Sequence, residues 1–353
     1  MKIENIDVFC EVIDNYGDVG VAYRLARELK KFYREKKIRL FVDKIEEINL
    51  MKSHGTEEIE IIKFSNMDIN IKVADLIIEC FGCDIPADYM EKAYENSKIL
   101  LNLEYFSAEN WIEDFHLQES FLGRGRLRKF FFMPSISEKS GGLIIDSDFI
   151  KRKDEVIKNR EKFFKKYGIE KKYDLIGSIF SYEKSFDKLV ETLEKTGKKV
   201  LLLIMSEKTQ KNFIKYFDNT NKYDKIEFVK LPFYPYNEYE EILSLCDFNF
   251  VRGEDSFARA LLLGKPFLWH IYPQTENTHM MKLESFLDKY CKDWKELKNT
   301  FIRYNLSDDG YEYFFENLDK ISQHNEKYSR YLLENCNLVD KLNNFIENLG
   351  GSK

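Results

Sequence analysis

Short apolar runs that recur between helical stretches constrain the fold of this chain more than any other feature. In the first half the runs lie at residues 6–13, 39–43, 74–81, 99–105 and 129–133, with helical patterns among them at 21–33 and 87–94. Such alternation predicts a parallel sheet covered by helices on both faces. Near residue 150 the texture changes to a lysine-rich helical stretch, 149–167, that ends at Gly168. The alternation then restarts with runs at 175–182, 200–205, 226–231, 248–251 and 266–271, and after Pro273 everything reads as helix to about Leu349.

A length of 353 residues suits two cores rather than one. The pattern therefore predicts an α/β protein with two Rossmann-like domains in tandem, facing one another across a cleft: residues 1–168, then 173–335. The tail 336–353 carries an amphipathic stretch, 338–349, placed to pack back on the first domain. In doubly wound sheets ligands bind outside the carboxyl ends of the strands.

Acids and bases are interspersed along the chain, with a net charge of −6. This argues against general nucleic-acid binding and fits a basic macromolecular partner. No apolar run reaches the roughly 18 residues that a membrane span needs, and the N-terminal residues lack a signal-peptide pattern. The six cysteines, at 10, 80, 83, 246, 291 and 336, are scattered and read as reduced thiols of a cytoplasmic protein. Cys80 and Cys83 form one CxxC without a second pair or nearby histidines, so no metal site is expected.

Two strand–turn–helix junctions carry the candidate chemistry. The first is Asp14-Asn15-Tyr16-Gly17-Asp18-Val19-Gly20, read as a glycine loop opening a helix. A helix start aims backbone N–H groups and positive potential at a ligand, yet the junction holds two carboxylates. Blandly, Asp14 or Asp18 is an Asx-turn or cap residue, and Gly17 and Gly20 are turn markers. The second is Arg252-Gly253-Glu254-Asp255-Ser256-Phe257. There Gly253 permits the turn, Ser256 offers a hydroxyl, and Arg252 and Arg259 supply charge suited to a diphosphate. Glu254 suits a sugar hydroxyl. Alternatively Asp255 and Ser256 only cap the helix.

Other candidates lie at predicted strand ends. Phe233 and Tyr236, in Leu231-Pro232-Phe233-Tyr234-Pro235-Tyr236, sit in a proline-stiffened aromatic loop, where a ring either packs in the core or stacks on a base. Tyr182 and His270 end further strands. Asp146-Ser147-Asp148 reads as a helix cap before Phe149.

Taken in order, these segments resemble one family. Asp14 to Val21 with Arg24-Leu25-Ala26-Arg27, then Asn102-Leu103-Glu104-Tyr105 with Ser107-Ala108-Glu109, then Ser140-Gly141-Gly142-Leu143-Ile144 look like the first three motifs of the EarP family. Arg252 to Phe257, leading into Gly264-Lys265-Pro266-Phe267 and Trp269 to Gln274, resembles the fourth. These are the protein-arginine rhamnosyltransferases of bacterial elongation factor P. The resemblance spans roughly residues 6 to 290.

It implies a GT-B glycosyltransferase that is inverting and needs neither metal nor cofactor. The donor would be dTDP-β-L-rhamnose and the acceptor one arginine of elongation factor P, in the cytoplasm, with no direct nucleic-acid or membrane partner. By motif position Asp18 would be the general base, Asp14 its supporting carboxylate and Glu254 the acid near the donor. Gly17 would allow close approach of substrate. Asp255, Ser256, Arg252 and Tyr182 would hold the diphosphate, and Phe233 would stack on thymine. The family usually has glutamine where Tyr236 stands, so a contact with the base there would run through the backbone. The alternative within the same fold is a transferase or epimerase acting on another nucleotide sugar.

Overall fold

A computed structural model describes residues 2–12, 16–51, 59–218, 223–274 and 278–351. The chain divides into two compact units, residues 1–147 with 332–353, and residues 148–331.

The first unit contains strands β1 (Asn5–Cys10), β2 (Lys37–Val42), β3 (Glu60–Lys63), β4 (Leu76–Cys80), β5 (Ile99–Leu103), β6 (Glu119–Ser120) and β7 (Arg128–Phe132). Its helices are α1 (Tyr16–Phe32), α2 (Glu46–Met51), α3 (Ala87–Asn96) and α4 (Trp111–Phe115). The sheet order is β3-β2-β1-β4-β5-β7-β6, parallel except for β6, which runs antiparallel to β7. The inner strands form where the predicted runs lie, because residues such as Val8, Phe9, Leu40, Phe41, Ile77 and Leu101 are covered on both faces. Neither β3 nor β6 was expected. The first is four partly exposed edge residues and the second only two, too short for periodicity to register.

A charge sits at the centre of this apolar sheet. Asp7 on β1 pairs in register with Arg39 on β2, which donates from Nε and Nη2 to the two carboxylate oxygens at 2.6 Å each. The Tyr89 hydroxyl donates to the same carboxylate. Removing one member of such a buried pair strands the other, which typically costs about 3–5 kcal/mol.

The second unit opens with α5 (Phe149–Lys158) and α6 (Arg160–Lys166), followed by β8 (Leu175–Ile179), α7 (Asp187–Thr196), β9 (Val200–Ile204), α8 (Glu207–Asn212), α9 (Ile214–Phe217) and β10 (Ile226–Lys230). It continues through α10 (Tyr236–Leu245), β11 (Phe248–Arg252), α11 (Glu254–Leu263), β12 (Phe267–His270), α12 (Thr278–Cys291), α13 (Lys295–Leu306), α14 (Tyr311–Glu316) and α15 (Leu318–Asn335). The sheet is wholly parallel, ordered β10-β9-β8-β11-β12.

The boundary at 147/148 lies earlier than the expected end at 168. Helices α5 and α6 belong to the second unit because Val156 and Phe163 pack on Leu245, and Arg152 and Arg160 pair with Glu240 and Asp247. The last helix, α16 (Leu338–Gly351), belongs to the first unit. Its Leu338 and Leu342 face Leu25, Ile78, Leu101, Leu103 and Phe132, while Phe345 meets Phe130 edge-on at 5.0 Å.

Candidate active site

In the second sheet the strand order reverses between β8 and β11, and ligands of doubly wound sheets bind at such a reversal. Tyr182 follows β8, and Arg252 ends β11. The Arg252 guanidinium carbon lies 4.5 Å from the ring centre of Phe180 and 4.7 Å from that of Tyr182. Two aromatic faces thus hold the cation at the sheet edge. Gly253 turns the chain at φ +64° into α11, and a Cβ there would meet the Tyr182 hydroxyl at 3.7 Å. That left-handed turn is why glycine is needed.

Helix α11 begins at Glu254 with Gly253 as its N-cap, and no side chain caps it. The reading of Asp255 or Ser256 as the cap is therefore corrected. Both lie inside the first turn, where their side chains cannot take the cap position. A first turn without a side-chain cap leaves its N–H groups in position for an anionic ligand.

The acids of this turn have defined partners. Glu254 accepts a hydrogen bond from Lys282 of α12 at 2.8 Å. Asp255 lies 3.9 Å from Nε of Arg259, one helical turn on, and Arg259 is 1% exposed with its guanidinium over Phe149. Arg259 therefore reaches Asp255 from inside the unit. Trp269 donates from Nε1 to the Gly253 carbonyl at 3.0 Å, which pins the turn from β12. His270 is buried between Ser181, whose hydroxyl is 2.7 Å from Nδ1, and the Tyr182 ring at 5.4 Å. Burial, with the charges of Lys184 and Arg252 adding, lowers its pKa to about 3. A neutral imidazole thus backs Tyr182.

Phe233 lies beyond the carboxyl end of β10 and is 51% exposed. Tyr236 starts α10 with its side chain buried, and the preceding Pro235 is the N-cap.

In the first unit the sheet order reverses between β1 and β4. Helix α1 begins at Tyr16, so Gly17, Asp18 and Gly20 are helical, and the expected glycine loop across these residues is corrected. Val19, Gly20, Ala22 and Tyr23 are buried, and this packing outweighs the weak helix propensity of glycine. Asp18 lies in the first turn and is 4% exposed. Burial, with the charge of Asp18 adding, pushes the thiol of Cys10, the last residue of β1, well above its ordinary pKa. Asp14 falls outside the described residues.

The other motifs of this unit divide between edge and scaffold. Asn102 donates to Glu104 at 2.7 Å and Ser107 to Glu109 at 2.9 Å, ordering the chain as it leaves β5. Ser140 to Ile144 receives the returning chain: Leu143 N–H donates to the Cys336 carbonyl at 2.7 Å, and Leu338 N–H donates to the Leu143 carbonyl at 2.9 Å. Of Asp146-Ser147-Asp148, Asp148 takes the N-cap position of α5 without a side-chain cap bond, whereas Asp146 is not a cap. Asp146 is 1% exposed, 3.7 Å from Arg24 and 3.2 Å from Lys31, both on α1.

Sequence reasoning overlooked Lys282, which lies 28 residues beyond Glu254 in a helix that offers no motif. Among the described residues no three His, Cys, Asp or Glu side chains converge as a metal site would require, and no helix is long and apolar enough to cross a membrane.

Comparison with known proteins adds to this geometry. The family model for the Elongation-Factor P (EF-P) rhamnosyltransferase EarP matches residues 6–347. The chain is 33% identical over 307 residues to a protein-arginine rhamnosyltransferase of Pseudomonas aeruginosa, covering 81% of each. It is 29% identical over 388 aligned positions to that of Shewanella oneidensis, covering 97% of each. A solved structure described as the structural basis for EarP-mediated arginine glycosylation of translation elongation factor EF-P superposes with a TM-score of 0.68 at 23% identity, covering 98% of this chain and 99% of that one. A glycosyltransferase from Rickettsia africae superposes at 0.51 with 12% identity and 99% coverage of both chains.

Proposed function

Since the chain belongs to the EarP family of EF-P rhamnosyltransferases, we propose that it moves L-rhamnose from dTDP-β-L-rhamnose to an arginine side chain of translation elongation factor P, with inversion and without a metal or other cofactor. The chain is a protein-arginine rhamnosyltransferase with a GT-B type α/β fold. Acceptor, donor and stereochemistry belong to this proposal, as does the cytoplasm as compartment, where elongation factor P acts. No nucleic acid or membrane enters the reaction.

The observation that carries the donor reading is the Arg252 guanidinium braced by Phe180 and Tyr182 beside the N-terminus of α11. As the sugar leaves, negative charge grows on the diphosphate. A fixed guanidinium, the first-turn N–H groups and the Tyr182 and Ser256 hydroxyls offset that charge, the task a metal performs elsewhere. Phe233, half-exposed beyond β10, stacks on thymine in this reading. At Tyr236 the buried side chain fits a base contact made through the backbone. Glu254 takes a hydroxyl of the sugar.

The acceptor poses a separate difficulty. A guanidinium has a pKa above about 12, so it stays protonated at neutral pH with its lone pairs delocalised, and it is a poor nucleophile. Two carboxylates, Asp18 and Asp14, grip it through charge-assisted hydrogen bonds and orient one nitrogen. Asp18 accepts the proton as the C–N bond forms and the C–O bond to the diphosphate breaks. Gly17, beside Asp18, adds no side-chain bulk to the approach.

Intact-mass measurement of elongation factor P after incubation with the enzyme and dTDP-rhamnose tests the reading. The expected result is a gain of one deoxyhexose, localised by fragmentation to one arginine. No mass gain, or tighter binding of UDP or GDP than of dTDP, would overturn it in favour of another nucleotide sugar.

A further inference from the structure

The structure pairs Lys282 directly with Glu254, a proposed reacting-centre carboxylate, and the helix that carries the lysine is fixed by an aromatic cluster. Its Nζ lies 2.8 Å from Oε1 of Glu254, with both side chains about a quarter exposed. Phe286, one turn further along α12, meets Phe257 of α11 edge-on at 4.9 Å and Trp269 of β12 at 5.8 Å. Phe257 and Trp269 stack on each other at 4.0 Å, and the Trp269 indole N–H holds the Gly253 carbonyl. Residues four apart share a helix face, so the seating of Phe286 sets where the Lys282 ammonium projects. Glu254 is held in turn as the first residue of α11, behind the Gly253 turn.

We propose that Lys282 is a positioning residue that orients the Glu254 carboxylate toward the sugar of the donor. This rests on the donor-site reading given above. An unbraced glutamate at a helix start samples several rotamers, and each non-productive one removes the hydrogen bond that the carboxylate makes to the reacting sugar. An ammonium carries three donors on a compact charge. Lys282 holds the carboxylate at Oε1, which fixes the direction in which Glu254 presents itself to the sugar. Its effect falls on turnover, since the nucleotide itself is held by Arg252, Tyr182 and the first turn of α11.

The test is a double-mutant cycle on the full chain, with Lys282→Met, Lys282→Arg, Glu254→Gln and the Lys282→Met/Glu254→Gln pair. Calorimetry gives dTDP affinity, and steady-state transfer to elongation factor P gives kcat and KM for dTDP-rhamnose. Lys282→Met is expected to lower kcat by about tenfold or more, with dTDP affinity within about threefold of wild type. Lys282→Arg is expected to recover most of kcat, and the double variant to be no slower than Glu254→Gln alone.

A kcat for Lys282→Met equal to wild type would overturn the proposal, and so would multiplicative losses in the double variant. A large loss of dTDP affinity in Lys282→Met would also overturn it, because it would make the lysine a phosphate ligand. The two failures are distinguishable. Wild-type enzyme that does not bind dTDP brings down the donor-site reading together with this proposal. Normal dTDP binding, a slow Glu254→Gln and an unimpaired Lys282→Met bring down this proposal alone.

Discussion

The Arg252 guanidinium carbon rests 4.7 Å from the centre of the Tyr182 ring, although 70 positions separate the two residues in sequence. They meet because β8 and β11 are neighbours in the sheet and both end at the same edge. Phe180 supports the same guanidinium at 4.5 Å, so its plane is set before any ligand arrives.

Arg252→Lys is expected to weaken dTDP binding by about tenfold, near 1.4 kcal/mol, despite the conserved charge. Lysine lacks the planar fork that two rings can hold and two phosphate oxygens can share. Calorimetric titration with dTDP reads the effect. Affinity equal to wild type would mean that the stacked guanidinium does not touch the nucleotide.

Asp18→Asn removes the proposed proton acceptor while keeping size and polarity. We expect kcat to fall by at least about a hundredfold, the scale of positioned general-base catalysis, with dTDP affinity and thermal midpoint close to wild type. Turnover within a few-fold of wild type in that variant would assign the base to another residue.

His270 makes stability depend on acid. Its folded pKa is lowered to about 3, chiefly by burial, whereas the unfolded chain titrates near 6.5. Between those values the unfolded state binds the extra proton, so stability is lost as pH falls through that window. At pH 5 the loss is about 2 kcal/mol. His116 has the same sign, lowered to about 4 by burial, and its Nδ1 accepts the Met133 N–H, a bond that protonation breaks. Urea unfolding at pH 7.5 and 5.0 should show the drop, and His270→Gln should reduce it by about 2 kcal/mol. An unchanged pH dependence in His270→Gln would refute the assignment.

Gly142→Ala should destabilise the first unit by about 2–4 kcal/mol, because it combines backbone strain with a steric clash. Gly142 has φ +76°, and a Cβ there would lie 2.3 Å from the Cys336 carbonyl. The same substitution should leave dTDP affinity near wild type, since Ser140 to Ile144 receives the C-terminal chain. A thermal midpoint equal to that of wild type would show that this junction yields without cost.

Most of the strands were legible because a strand buried on both faces needs an unbroken apolar run, and a run such as 200–205 has no other use. The positions of the candidate residues Tyr182 and Arg252 were legible for the same reason, since they directly follow or close such runs. The starts of α1 and α11 were not. At α1, burial of Val19, Gly20 and Ala22 draws two glycines into the helix. At α11, the positive φ of Gly253 moves the cap one residue ahead of the acids. Both outcomes depend on what the segment packs against.

The sequence by itself determined two parallel α/β sheets, the strand ends at which chemistry can occur, and through its ordered motifs the family. These are properties of local pattern, because strand burial and turn chemistry are written in neighbouring residues. Only the tertiary structure decided that Arg24 and Lys31 reach Asp146, that Trp269 pins Gly253, and that Lys282 reaches Glu254. Pairings of that kind come from strand order and helix seating. Those are settled by packing over the whole unit, so no stretch of sequence carries them alone.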